Sequence, residues 1–236
     1  MVHGAFAGGW VWGPLADLLE ERGHTVEAPD LPGGGRDLTP VGEVTLDAYA
    51  KRICEVLESD PEPAVLVGHS MGGMAITQAA PRCADRVASM VYVAAFLPQD
   101  GESLIALTQL PEGEGDQVQA NLVVSGDPPV ATMTAEAAHA ATYAHCSDER
   151  AAWAIASSTP QPVFPFTEPV QLDGFDFAGI PRAYVFCGQD RAIPPPLQRR
   201  MIATAGCSPV IELDTDHVPQ LSRTAELAEA LHELAA

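Results

Sequence analysis

The chain has 236 residues, 47% of them hydrophobic, and its 32 acidic against 12 basic side chains leave a formal net charge of −20. That length fits one α/β domain with room for a small insertion, and the acidic balance argues against nucleic acid or an anionic membrane as partner. No run of 18 apolar residues is present to span a bilayer, and the five cysteines (54, 83, 146, 187 and 207) are scattered without C-x-x-C spacing, so free thiols in a reducing, cytoplasmic setting are expected instead of a disulfide framework or a zinc site.

The first residues lack the basic and apolar stretches of a signal peptide. They read Val2-His3-Gly4-Ala5-Phe6-Ala7-Gly8-Gly9-Trp10, a Gly-rich loop with free backbone N–H groups. A strand should feed that loop, yet only Met1 and Val2 precede His3, so the first strand is expected to be truncated. A helix is expected over 12–22, with Leu15, Leu18 and Leu19 on one face and Gly23 as its stop. A short strand over 25–28 follows. Gly33-Gly34-Gly35 then makes a loop and not a phosphate cradle, because Arg36-Asp37 replaces the Lys-Ser/Thr that a P-loop needs. Residues 46–57 carry the apolar stripe of an amphipathic helix.

The next stretch organises the rest. Ala64-Val65-Leu66-Val67 is an apolar run that ends in Gly68-His69-Ser70-Met71-Gly72, and small residues follow at helical spacing over 71–80. Twenty glycines in 236 residues give about 0.07 chance occurrences of Gly-x-Ser-x-Gly, before a strand in front and a helix behind are required. The pattern is that of a strand, a sharp turn and a helix, with Ser70 exposed at the apex. The Met71 N–H then points at whatever Ser70 attacks. The loop after His3 would lie beside it, with Ala5 as the second donor to a developing oxyanion.

A strand over 87–93 runs out through Ala94-Ala95-Phe96-Leu97-Pro98. Strand and helix alternate this far, so a mostly parallel sheet covered on both faces is expected. From 99 to 179 the rhythm breaks, with no strong strands and frequent Pro and Gly. Helices are expected at 134–144 and 147–156, and the segment reads as an inserted lid between the core segments 1–98 and 180–236. An apolar pocket beneath it would draw on Phe6, Trp10, Met71, Phe96, Leu97, Trp153 and Phe164. The alternation resumes with a strand at 182–187, a helix at 194–205, a strand at 210–213 and a helix at 224–234.

A serine hydroxyl is a weak nucleophile and needs a base, and the base needs an acid to orient it. Of the seven histidines, His217 is the one in a loop after a strand near the chain's end. Asp190, after the strand at 182–187, is the leading candidate for the acid. Asp173, Asp176, Asp214 and Asp216 are the other carboxylates at hand, the last two very close to His217 along its loop. The order Ser70, Asp190, His217 is that of an α/β hydrolase.

Five segments carry a family resemblance: HGAFAGGWVW at 3–12, GHSMGGM at 68–74, YVAAFLP at 92–98, YVFCGQDRAIP at 184–194 and DHVPQLS at 216–222. A sixth, in the lid, is YAHCSDERAAWAIASSTPQP at 143–162. The chain resembles the α/β-hydrolase superfamily, and within it the branch of plant methylesterases, hydroxynitrile lyases and related bacterial esterases. The resemblance implies a triad of Ser70, Asp190 and His217 and an oxyanion hole from Ala5 and Met71. The lyases of that branch carry Thr after the loop His and Lys after the catalytic His, where this chain has Gly4 and Val218. The expectation is therefore a cofactor-free and metal-free serine esterase for small to medium hydrophobic or aromatic esters. Lactone or carbon–carbon hydrolysis by the same triad, or non-catalytic binding of a small molecule, are the alternatives. A homodimer is compatible with the sequence.

Overall fold

The computed structural model describes residues 1–235. In chain order its elements are α1 (Gly13–Glu20), α2 (Leu46–Leu57), β1 (Ala64–His69), α3 (Gly72–Ala79), β2 (Val87–Val93), α4 (Leu104–Thr108), α5 (Gln117–Asn121), β3 (Val123–Ser125), β4 (Val130–Thr132), α6 (Ala135–Thr142), α7 (Asp148–Ser157), β5 (Gln161–Pro162), α8 (Phe164–Thr167), β6 (Arg182–Cys187), α9 (Pro195–Ala205), β7 (Val210–Leu213), α10 (Pro219–Ser222) and α11 (Thr224–Ala235). Strands β1, β2, β6 and β7 lie side by side in that order, all parallel.

Successive strand residues point to opposite faces, so a sheet covered on both sides is apolar at every position. In β2, Met90 and Tyr92 enter one hydrophobic cluster together with Tyr49 and Ile53 of α2, Met74 of α3 and Leu197 of α9. Val91 and Val93 enter the other, with Leu15 and Leu19 of α1 and Leu227 and Leu231 of α11. Each such side chain taken fully out of water contributes roughly 1.5–3 kcal/mol. The expected three-layer architecture is thus present. Among the described residues no helix is long and apolar enough to cross a membrane.

Four expectations need correction. Residues 25–28 form no strand. Their side of the sheet offers a partner only at Met1 and Val2: Val2 makes a single parallel bridge to Gly68, and the Met1 amine donates to the Glu27 carbonyl (2.5 Å). A ladder needs a strand on its other side, and one bridge does not supply it. The helix expected over 12–22 begins as a 3-10 turn at Gly9–Trp12, and α1 ends at Glu20. Cys54 and Cys83 are joined in a disulfide, leaving Cys146, Cys187 and Cys207 free. Packing of α2 on α3 sets their Cα atoms 5.7 Å apart across a separation of 29 residues, within bridging reach. The pairing withdraws the cysteine count as an argument for a reducing compartment.

The fourth concerns residues 99–179, which contain a three-stranded antiparallel sheet in the order β3-β4-β5 and the short helices α4, α5 and α8 besides the two expected ones. Strands of two or three residues leave too little alternation to read. Side-chain caps start most of these helices: Ser103 for α4, Asp116 for α5, Thr134 for α6 and Ser147 for α7. The segment's buried residues join the two sheet clusters, Leu104, Leu107 and Phe166 on one face and Tyr143, Ala151 and Ala154 on the other.

Candidate active site

Parallel strands end on the same side of the sheet, so the loops that follow them converge there. The loops after β1, β6 and β7 bring Ser70, Asp190 and His217 together. Ser70 sits at φ +55°, in the left-handed region that a residue with a Cβ adopts only under constraint. The constraint is visible. Its N–H donates to the Ala94 carbonyl (3.2 Å), and its carbonyl accepts from the N–H groups of Gly73 (3.0 Å) and Phe96 (3.1 Å). A Cβ at Gly72 would stand 2.6 Å from the Val2 carbonyl oxygen, so only glycine lets α3 start that close to the chain entering from Met1.

The Ser70 hydroxyl lies 2.9 Å from His217 Nε2, and His217 Nδ1 lies 2.8 Å from Asp190 Oδ2. A carboxylate only accepts, so Nδ1 carries the proton and Nε2 is free to accept from Ser70 Oγ. Burial presses the His217 pKa down, but the charge and hydrogen bond of Asp190, with Asp216 and Asp116 behind them, carry it above its ordinary value. Asp190 is itself fixed: Oδ1 accepts from Ala192 N–H (2.7 Å) and Ile193 N–H (2.9 Å), and Oδ2 also accepts from Gln198 Nε2 (3.2 Å).

Opposite Ser70 lies the loop after His3. Neither Ala5 N–H nor Met71 N–H has a protein acceptor among the described residues, and both residues line the cavity above Ser70. The loop is pinned on both sides. His3 Nδ1–H donates to the Gly4 carbonyl (2.8 Å) and Nε2 accepts from Leu31 N–H (2.9 Å), while burial holds its pKa below the ordinary value. Phe6, at φ +64°, donates its N–H to Gln161 Oε1 (3.3 Å) and accepts from Thr159 N–H (2.9 Å). Gln161 in turn donates to the Tyr49 hydroxyl (3.0 Å). A Cβ at Gly4 would lie 2.7 Å from Ser70 Cβ.

The cavity holds about 240 Å³. Of the expected apolar wall, Phe6, Met71 and Phe96 line it. Trp10, Leu97, Trp153 and Phe164 do not. Trp10 and Trp153 pack edge to face on each other with centroids 5.0 Å apart, and Trp153 is 43% exposed. Leu97 is buried in the sheet cluster, its N–H directed at Met201 Sδ (3.4 Å), and Phe164 opens α8. The wall is completed by residues of 99–179, among them Leu104, Asp116, Met133, Tyr143, Ile155 and Phe166.

Sequence reasoning missed the residues that hold this arrangement. His69 Nε2–H donates to the His217 carbonyl (2.8 Å), while burial, then the neighbouring His217, keep its pKa well below the ordinary value. Asp216 Oδ2 accepts from His145 N–H (2.8 Å) and Oδ1 from the Ser222 hydroxyl (2.7 Å), which ties the inserted segment to the loop of His217. Gln161 acts across 112 and 155 residues, Gln198 reaches back from α9 to Asp190, and Asp116 reads as an ordinary helix cap, so none of them gave a signal for the site.

The chain and its fold have known counterparts. The model of the Alpha/beta hydrolase family matches residues 1–230. An alpha-hydroxynitrile lyase from Arabidopsis thaliana is 32% identical over all of this chain and 95% of its own length. Methylesterase 7 of the same plant is 31% identical over the same shares. The crystal structure of polyneuridine aldehyde esterase, a protein of Rauvolfia serpentina, superposes with a TM-score of 0.87 at 26% identity, covering 100% of this chain and 98% of that one. With its fold, its strand-end site and a family match along nearly its whole length, the chain belongs to the alpha/beta hydrolase family, in the plant methylesterase-like branch, as a carboxylic ester hydrolase.

Proposed function

We propose that Ser70 is the nucleophile, His217 the general base and acid, and Asp190 the group that orients and stabilises His217. The observation that carries this reading is the unbroken relay from Ser70 Oγ to His217 Nε2 (2.9 Å) and from His217 Nδ1 to Asp190 Oδ2 (2.8 Å). Ser70 Oγ attacks the ester carbonyl while its proton passes to His217 Nε2. The oxyanion that forms is met by the two unclaimed N–H groups of Ala5 and Met71, a contact worth about 10²–10³ in rate per donor. His217 hands the proton to the departing alcohol, and the acyl group stays on Ser70. Water, deprotonated by His217, then releases the acid. Ala5, Phe6, Met71 and Phe96 enclose the reacting carbonyl in a cavity of about 240 Å³, a size and polarity suited to small or medium hydrophobic and aromatic esters.

Val218 follows His217, is 3% exposed and faces the cavity. No lysine stands there to pair with a cyanide leaving group, so ester hydrolysis is favoured over the lyase reaction. The test is a fluorophosphonate probe read by mass spectrometry, beside turnover of p-nitrophenyl esters by the wild type and Ser70→Ala. One adduct on Ser70, with loss of about 10⁴-fold or more in kcat for the variant, is expected. Undiminished hydrolysis by Ser70→Ala would overturn the reading.

A further inference from the structure

One carboxylate in the cavity makes no direct contact with the relay and, beyond the charge it adds behind Asp190, has no role in this mechanism. Asp116 is 8% exposed and lines the same cavity as Ser70 and His217. Its Oδ1 accepts from the N–H groups of Val118 (2.8 Å) and Gln119 (2.9 Å), the cap of α5. Its Oδ2 accepts no hydrogen bond among the described residues. Among the described residues no lysine or arginine lines the cavity, and Asp116 is in no ion pair. The adjacent Arg191, whose carbonyl accepts from Gln117 N–H (2.8 Å), has its side chain exposed and is likewise in no ion pair. The cap needs only one oxygen. The other is an unpaired acceptor in a largely apolar chamber, still reached from the cavity and met by no lysine or arginine, so a cationic ligand can take it without breaking a bond the protein already makes.

We propose that Asp116 is a substrate-recognition group, and that the cavity takes esters with an apolar body and one protonated amine, which the free Asp116 Oδ2 accepts by a charge-assisted hydrogen bond. The inference rests on the hydrolytic reading above and adds the substrate class. The chain's charge of −20 works in the same direction, since a net negative molecule attracts cations and repels anions. Burial pushes the Asp116 pKa up to about 6, working against its two backbone hydrogen bonds. The carboxylate is therefore still mostly ionised at neutral pH.

The test uses two isosteric pairs of esters. In one, the acyl chain ends in a dimethylammonium or an isopropyl group; in the other, the alcohol carries the same two groups. The quantity read is the ratio of kcat/KM for the cationic and the neutral member, corrected by the hydroxide-catalysed rates of the same esters. For the wild type, the corrected ratio is expected to favour the cation by about tenfold or more on at least one pair. Asp116→Asn, which keeps an acceptor for the α5 cap, should bring that ratio close to one. Any general loss of activity in the variant cancels in the ratio. A corrected wild-type ratio near one on both pairs overturns the proposal without recourse to the variant, and so does a ratio that Asp116→Asn leaves unchanged. Turnover of no ester at all, neutral members included, would instead take down the hydrolytic reading and this inference with it.

Discussion

The relay and the cavity wall are built by two regions that follow different rules. The relay hangs from the ends of β1, β6 and β7: the Ser70 backbone is held by Ala94, Gly73 and Phe96, the Asp190 carboxylate by the N–H groups of Ala192 and Ile193, and the His217 ring by Asp190. The wall comes largely from residues 99–179, whose short helices and small antiparallel sheet share their buried residues with the two clusters of the main sheet. The parallel sheet thus sets where a proton can move, and the insertion sets what can stand beside it. A rigid scaffold with variable loops at one end is how one fold serves many substrates.

The sharpest way to break this division is to disable the relay while leaving the wall intact. Asp190→Asn keeps an oxygen for the Ala192 and Ile193 N–H groups but presents an N–H to His217 Nδ1, which favours the wrong tautomer. A fall in kcat of about 10³–10⁴ is expected with the thermal midpoint little changed, and steady-state kinetics with a p-nitrophenyl ester would show it. A smaller loss would mean that Asp190 is not the orienting acid.

Next in size is the contact between the Gly-rich loop and the turn at Ser70. With the loop as this chain builds it around glycine, Gly4→Thr places a Cβ 2.7 Å from Ser70 Cβ, so the loop must shift from the turn, whereas the lyases that carry Thr here have a loop built around it. A displacement of that kind costs about 10²-fold in kcat/KM. Retention of wild-type activity would mean that the loop yields freely.

Asp216 stands at the seam of the two regions, and its effect should show as a shift along the pH axis. The base works only when neutral, so activity falls as pH drops through the His217 pKa. The Asp216 charge helps to raise that pKa. Removing the charge in Asp216→Asn lowers it, and the acid limb of kcat/KM should move to lower pH. A limb that stays in place would show that Asp216 acts through its hydrogen bonds to His145 N–H and the hydroxyls of its own loop and not through its charge.

The smallest effect is expected at Trp153, on the outer side of the insertion. Because it packs on Trp10 and not on the cavity, Trp153→Ala should leave kcat/KM within about twofold and lower stability by ~1 kcal/mol through the lost aromatic pair. Kinetics and thermal melting on one preparation would separate the two effects.

Much was legible in the sequence, and the reason is locality. The turn at Ser70 was readable because its apolar run, flanking glycines and following helix fall within a dozen residues. His217 and Asp190 were readable because each sits in a loop after a strand, in the chain order that the α/β-hydrolase pattern carries. The failures share a different cause. Residues 25–28 look like a strand, yet a strand exists only with a partner. Trp10, Leu97, Trp153 and Phe164 are large and apolar, yet which side of a surface they face is decided by what packs on them. Cys54 and Cys83 carry no spacing signal, because their meeting depends on how α2 lies on α3.

The sequence by itself determined the three-layer α/β architecture and singled out Ser70, Asp190 and His217, which the structure brings together and which we propose as nucleophile, acid and base. These follow from hydrophobic period, glycine placement and strand-to-loop alternation, all of which act over short stretches of chain. Only the tertiary structure decided that His69 braces the loop of His217, that Gln161 holds Phe6, that Asp216 joins the insertion to the core and that Asp116 faces the cavity with an oxygen unclaimed. Those contacts join residues between roughly 70 and 155 positions apart, or reach across a cavity, and no local pattern of side chains encodes a distance that only packing creates.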